Sequence, residues 1–402
     1  MREVAVWVQT EAAAEVSMRY WTKGSEEKTS STPTVNTTEQ DAFTAHLVAT
    51  EVEPGTTYEY EILVNNATVP MERALEFKTQ PLWQWRSDPP GFSFAVGSCS
   101  YINETKYDRP GTPYGGQYEI FETIEKREPE FMLWLGDNTY LREADWNSRS
   151  GIMKRYTHTR QTKEMQGLLS SCHHYAIWDD HDFGPNNSDR SFVNKDWSLE
   201  AFKRFWANNR YGINGKPGIT TKFSWNDVDF FLLDNRYYRT PLYKYGESTI
   251  LGEEQVEWLI DALKASQAPF KMVAIGGQFL NTAAIGENHV LYARERETII
   301  SRIAQEQIHG VVFLTGDRHH SELSKLDMGN GIVIYDLTAS PLTSGMHSVE
   351  GEQNGFRVDK TLVEERNFAL LEVSGPRTRR KLTINLINSE GKELWDYTIK
   401  AY

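Results

Sequence analysis

The chain is predicted to fold as an all-β region of about 80 residues followed by a larger α/β domain. Three observations lead there. Residues 1–80 carry only short alternating runs separated by polar turns, with no helical periodicity. From residue 92 onward, short apolar runs alternate with helical segments, the signature of an α/β sheet. Four apolar runs end in dense polar clusters: FAVGSC (94–99), FMLWLGDNTY (131–140), YAIWDDHDFGPNN (175–187) and VVFLTGDRHH (311–320). Runs of four to six apolar residues read as buried, central strands. The ends of such strands open into one crevice, so clusters far apart in sequence can share a pocket.

In the first region, strands are expected over 4–9, 16–21, 44–49, 57–64 and 75–78. The stretch LVATEVEPGTTYEYEILV (47–64) has a Pro-Gly turn followed by Tyr58 and Tyr60 in an alternating strand. That pattern resembles the tyrosine corner of immunoglobulin-like and fibronectin type III sandwiches. No cluster of potential ligands occurs before Gln80. Residues 81–91, PLWQWRSDPPG, hold three prolines and form a stiff linker. The second domain then spans 92–402. Its strands are expected over 92–97, 131–135, 175–178, 228–233, 271–275, 311–315 and 332–337. Helices fit 116–126, 199–208, 253–266 and 292–307, and the C-terminal segments 368–373 and 381–397 read as antiparallel strands.

Composition narrows the function classes. A hydrophobic share of 39% and a charged share of 25% over 402 residues describe a globular protein large enough for two domains. A net charge of −13 opposes general binding to nucleic acid or anionic membranes, and no apolar stretch reaches membrane-spanning length. Two cysteines, Cys99 and Cys172, exclude a disulfide framework. No signal peptide is visible, yet a strand beginning at Val4 suggests that a leader or first turn was cut away.

The clusters carry the chemistry. Asp179-Asp180-His181-Asp182 packs three carboxylates around one imidazole after a buried strand, an arrangement that a cation compensates. Asn186 and Asn187 add neutral oxygens. Gly136-Asp137-Asn138-Thr139-Tyr140 and Gly316-Asp317-Arg318-His319-His320 repeat the strand–Gly–Asp pattern, with a phenol or imidazoles within reach. Each Asp also has a plain structural use, as a helix cap or an ion-pair partner. Cys99 is a thiolate ligand, a nucleophile or core filler; Cys172 precedes its strand and reads as structural. Arg236 and Arg239 either clamp phosphate oxygens or brace their loop. No phosphate-binding Gly loop and no serine-nucleophile elbow is present. Together these residues point to a metal-dependent hydrolytic enzyme.

Taken in order, GSC, GDNTY, WDDHDFGPNN, LDNRYYR and LTGDRHH resemble the PhoD-like alkaline phosphatases and phosphodiesterases of the calcineurin-like metallophosphoesterase superfamily. The resemblance covers roughly 92–373, and the EPGTTYEYEI segment matches the small β-domain that precedes the catalytic domain in that family. It implies a four-layer α/β/β/α sandwich and a centre of Fe(3+) and Ca(2+). Cys99 and Tyr140 would ligate iron and Asp137 would bridge to calcium, while Asp180, Asn186, Asp317 and His319 complete the site. His181 falls where the superfamily places a phosphate-contacting imidazole, with Arg236 or Arg239 positioning substrate. The implied activity is hydrolysis of small phosphate esters, mono- or diesters, by a metal-activated hydroxide. A secreted or periplasmic monomer without a nucleic-acid-binding module is the matching expectation. One departure stands out: the superfamily's Gly-His pair reads Gly276-Gly277-Gln278 here, a lack that PhoD-like proteins share.

Overall fold

A computed structural model describes residues 1–242, 248–329 and 331–402, which hold twenty strands and seven α-helices. The first eight strands are β1 (Val4–Gln9), β2 (Ala14–Thr22), β3 (Thr29–Ser31), β4 (Val35–Thr37), β5 (Thr44–Ala49), β6 (Thr57–Val64), β7 (Ala67–Thr68) and β8 (Leu75–Lys78). One sheet runs β3-β2-β6-β7, with β4 also on β2 and β8 also on β6; β1 and β5 form a separate antiparallel pair. Alternation along β2 buries Val16, Met18 and Tyr20 against Leu47 and Ala49 of β5. Tyr58 accepts a hydrogen bond from the Glu53 N–H at 2.8 Å, which ties the turn before β6 to that strand.

The second region follows residues 81–91. Its elements are β9 (Phe92–Gly97), α1 (Glu119–Glu125), β10 (Phe131–Leu135), α2 (Arg149–Arg160), α3 (Met165–Ser171), β11 (His173–Ile177), α4 (Asp180–Phe183), α5 (Lys195–Phe205), β12 (Thr221–Trp225) and β13 (Val228–Leu232). Then come α6 (Glu253–Ala265), β14 (Lys271–Ala274), α7 (Ala293–Gln305), β15 (Val311–Thr315), β16 (Glu322–Asp327), β17 (Val333–Thr338), β18 (Asn367–Ser374), β19 (Lys381–Asn388) and β20 (Glu393–Lys400). They make two six-stranded sheets, β11-β10-β9-β18-β19-β20 and β12-β13-β14-β15-β17-β16. β9, β10 and β11 are parallel, as are β13, β14, β15 and β17; the other pairings are antiparallel. One apolar core takes Phe94, Leu133, Phe230, Met272 and Leu314 from both sheets. A second joins Phe231, Val273 and Phe313 to α6 and α7 through Leu259, Leu263, Ile299 and Ile303. Fully buried strands of this kind read as continuous apolar runs, which is why β9, β10 and β15 keep their expected bounds.

Elsewhere the structure adds what the sequence reading omitted. Helix α2 buries Arg155 and Arg160, so its polar composition hides a buried face. Helix α3, hairpin strand β12 and polar strand β16 were not expected either. The two regions touch. Trp7 Nε1 donates to the Arg204 carbonyl at 2.8 Å, its ring lies 5.8 Å from Phe205, and Arg204 pairs with Asp41 at 2.7 Å. No helix of the described residues is long and apolar enough to cross a membrane.

Candidate metal centre

Five parallel strands deliver the site from their C-terminal ends. β9 leads to Cys99, β10 to Asp137 and Tyr140, β11 to the Asp179–Asp182 turn, β14 to Gly276, and β15 to Asp317 and His319. The turns are tight enough that non-glycine residues sit in the left-handed region: Cys99 (φ 62°), Asp137 (51°), Asp317 (66°) and His319 (55°). Such conformations cost on the order of 1–3 kcal/mol each and concentrate at functional sites. Gly276 has a clear reason to lack a side chain, since a Cβ there would lie 2.4 Å from the Asp179 carboxylate.

Ligand-type atoms converge in three overlapping groups: Cys99, Asp137 and His319; Asp137, Asp180 and His181; and Asp179, Asp180 and Asp317. Within each, the donor atoms all lie within 4.8 Å of one another. Asp137 belongs to two groups and so stands between them. Its Oδ2 accepts from the Tyr140 hydroxyl at 3.2 Å and the Cys99 thiol at 3.5 Å, and its Oδ1 accepts from the His181 N–H at 3.3 Å. The Tyr140 hydroxyl also lies 3.1 Å from His319 Nε2. The other ring nitrogen, Nδ1, lies 2.6 Å from the Gly345 carbonyl. That contact fixes Nδ1 as the protonated nitrogen and leaves Nε2 with its lone pair toward Tyr140.

Electrostatics shows what this packing demands. Burial, then repulsion by Asp180 and Asp179, pushes Asp137 well above the usual carboxylate range. Burial and Asp179 push Asp317 up in the same direction. Burial and nearby Asp137 raise the Cys99 thiol and the Tyr140 phenol. Burial also disfavours charge on Asp180, but His181 and Arg236 outweigh it and hold that group below the ordinary range. Asp180 Oδ1 and Asp179 Oδ2 are buried without a hydrogen-bond partner. Orphaned carboxylate oxygens suit hard cations, and the adjacent phenol, thiol and imidazole add strongly donating ligands for a second ion.

The other expected residues fall as follows. His181 stacks on Tyr140 at 4.2 Å, and burial lowers its imidazole pKa against the pull of Asp180. Asn186 is exposed, one residue before Asn187, whose N–H donates to Asp180 Oδ2 at 2.6 Å. Arg236 and Arg239, expected as substrate-positioning groups, are committed to carboxylates instead. Arg236 is fully buried between Asp179 and Glu287, and Arg239 pairs with Glu287 at 2.7 Å. The bracing alternative thus accounts for their contacts. Cys172 lies away from the cluster, its thiol 3.8 Å from the Leu168 carbonyl and from His174 Nε2. Asp182 accepts N–H bonds from Asp179, Asn138 and Thr139, so it braces two turns, and burial lifts its pKa to about 8. Asp179, read as part of the acidic cluster but left out of the ligand set, belongs to the constellation, and Glu287 was missed. No periodic run or ligand cluster in the sequence marked Glu287.

The fold and the convergent donor groups define an α/β protein built around a candidate metal centre. A family model described as PhoD-like phosphatase matches residues 94–373, and the chain belongs to that family. A second model, described only as a domain of unknown function (DUF7800), matches residues 1–82. Alkaline phosphatase D of Bacillus subtilis (strain 168) is 23% identical over 335 residues, covering 71% of this chain and 54% of the relative. The chain therefore spans about half the length of that curated relative. A solved structure of PhoD superposes with a TM-score of 0.77 at 17% identity, covering 99% of this chain and 90% of the other. The purple acid phosphatase PPD1 from yellow lupin (Lupinus luteus) seeds superposes with a TM-score of 0.73 at 12% identity, covering 99% and 72%. Both likenesses establish the mixed α/β fold.

Proposed function

We propose that this protein hydrolyses phosphate esters at the Asp137-centred cluster, as a mono- or diesterase of the alkaline phosphatase D type. The observation that carries the reading is the placement of Asp137 between two donor groups of different character. On one side stand Cys99, Tyr140 and His319, strongly donating ligands that suit Fe(3+). On the other stand Asp180 and Asp317, oxygen ligands that suit Ca(2+), with the exposed Asn186 amide as a further candidate. Such cations would supply Lewis acidity that lowers the pKa of a water and draws charge from the phosphate oxygens.

The chain's own groups do the rest. Asp137 holds the two donor groups in one unit. His181, stacked on Tyr140 and partly exposed where Cys99, Asp137, Tyr140, Asp180 and His319 are buried, faces the substrate side and donates to phosphate or leaving oxygen. Arg236 and Arg239 act through Asp179 and Glu287, holding the turn after β11. The same reading extends to the architecture. The two six-stranded sheets with helices outside them form a four-layer α/β/β/α catalytic domain over 92–402, joined by the linker 81–91 to an immunoglobulin-like domain over 1–80. The Tyr58–Glu53 bond supports the latter. A secreted or periplasmic monomer acting on small phosphate esters completes the proposal.

The test uses p-nitrophenyl phosphate and bis(p-nitrophenyl) phosphate with elemental analysis. Hydrolysis that chelation abolishes and calcium restores is expected, with iron retained and a visible tyrosinate charge-transfer band that Tyr140→Phe removes. Absence of hydrolysis by the metal-replete protein overturns the activity. Zinc without iron overturns the metal assignment.

A further inference from the structure

We infer that Tyr114, with Met346 and His347, forms a subsite for a planar aromatic leaving group, so that esters of phenols, aryl alcohols or nucleosides are preferred over alkyl esters. This rests on the hydrolytic reading above and names the substrate class of the same site.

Two loops meet at the metal centre. One runs from β9 to α1 and carries Tyr101 and Tyr114; the other follows β17 and carries Gly345, Met346 and His347. Their junction lies on His319. The Tyr114 hydroxyl is 3.0 Å from His319 Nδ1 and 3.2 Å from His347 Nε2, and the His347 ring stacks on His319 at 4.4 Å. Gly345 permits the approach, since a Cβ there would lie 2.8 Å from the Tyr114 ring.

From this junction rings continue inward without a break. Tyr114 meets Tyr101 at 5.0 Å, Tyr101 meets Tyr140 at 5.0 Å, and Tyr140 meets His181 at 4.2 Å. The inner rings are fixed, because the Arg142 guanidinium covers Tyr101 at 3.8 Å and itself bonds Asp108. The outer ones are not covered. Tyr114 is 38% exposed and Met346 48%, and His347 is exposed beside them. An isolated exposed aromatic needs no explanation. An exposed Tyr114 ring held by hydrogen bonds to a metal-ligand candidate, at the outer end of a ring path into the centre, forms a prepared surface, with the exposed Met346 thioether next to His347 in the chain. Its flat, polarisable groups favour a planar ring. A polyol would find little there beyond the Tyr114 hydroxyl, which two imidazoles already engage.

The comparison that isolates this uses 2-phenylethyl and n-butyl phosphate esters, whose alkoxide leaving groups are alike in basicity. They are assayed in whichever ester class, mono or di, the enzyme hydrolyses faster as its p-nitrophenyl derivative. The wild type should favour the phenyl ester about 3- to 10-fold in kcat/KM, chiefly through KM, the range that one ring contact supplies. Tyr114→Ala should bring the ratio near one, whereas Tyr114→Phe keeps it. Metal content is measured in each variant. A wild-type ratio near one overturns the subsite while leaving the hydrolase reading intact. Equal losses for both esters in Tyr114→Ala, with metal lost, overturn it in favour of a positioning role toward His319. No turnover of either p-nitrophenyl reference overturns the hydrolase reading and the subsite together.

Discussion

Residues 1–80 and the two six-stranded sheets treat charge in opposite ways. The buried polar groups of the first region are threonines: Thr32, Thr37, Thr44 and Thr79. Its ion pairs, Arg19–Glu61 and Lys23–Glu76, sit at the surface. The second region buries Asp137, Asp179, Asp180, Asp182, Asp234 and Asp336, along with Arg155, Arg160, Arg236 and Arg380. Burying charge works against folding unless partners compensate. The alternating strands of the first region avoid that cost. The second carries it where strand ends meet, the arrangement a cation site would require, with anionic donors screened from water. The contrast points to the same candidate site without reference to any relative.

The largest expected effect of breaking this pattern lies at Arg236. Its guanidinium is wholly buried between Asp179 and Glu287. Arg236→Met keeps much of the volume but leaves two carboxylates facing one another, with Arg239 alone to pair with Glu287. Removing one partner of a buried pair costs about 3–5 kcal/mol. Denaturant unfolding should show that loss, with less metal retained as Asp179 moves. A change below about 1 kcal/mol would mean that water reaches this pair, and would reopen a direct role for Arg236 toward substrate.

A second effect is catalytic rather than structural. His181 stacks on Tyr140 yet is assigned to the phosphate, not to a cation. His181→Ala should keep metal content and the visible band while kcat falls on the order of 10²–10³-fold, as for loss of a donor aimed at developing charge. Loss of metal from that variant would make His181 a ligand. The measurement sharpens the comparison by separating buried groups that hold the centre from those that act on what it binds.

Much of the candidate cluster was legible in the sequence, for a physical reason. Cys99, Asp137, Asp180, Asp317 and His319 follow apolar runs, and a buried strand fixes where the next residues project. Glu287 and Tyr114 were not legible, because they lie in loops with no periodic run beside them. The arginines show a different limit. Sequence order placed Arg236 and Arg239 after β13, but it could not say whether carboxylates would reach them first. Among the helices, α2 was hidden because buried Arg155 and Arg160 break the apolar pattern that marks a core-facing side. Apart from the exposed Tyr114, the missed features are buried charges, the feature that separates the two regions.

The smallest effect belongs to the first region and completes the contrast. Arg19 pairs with Glu61 across β2 and β6, chemically the same guanidinium–carboxylate contact that Arg236 makes. Its side chains are 44% and 35% exposed, against 0% for Arg236. Water screens the attraction and already solvates both partners, so little desolvation is at stake when one is removed. Exposed pairs contribute about 0.2–1 kcal/mol, less in salt. Glu61→Gln should therefore shift the unfolding free energy by no more than about 1 kcal/mol, and raising ionic strength should shrink the difference further. The same salt series should leave the Arg236→Met difference nearly unchanged, because counterions do not enter a buried pair. If both variants respond to salt alike, burial is not what distinguishes the two regions, and the contrast between them fails at its simplest pair.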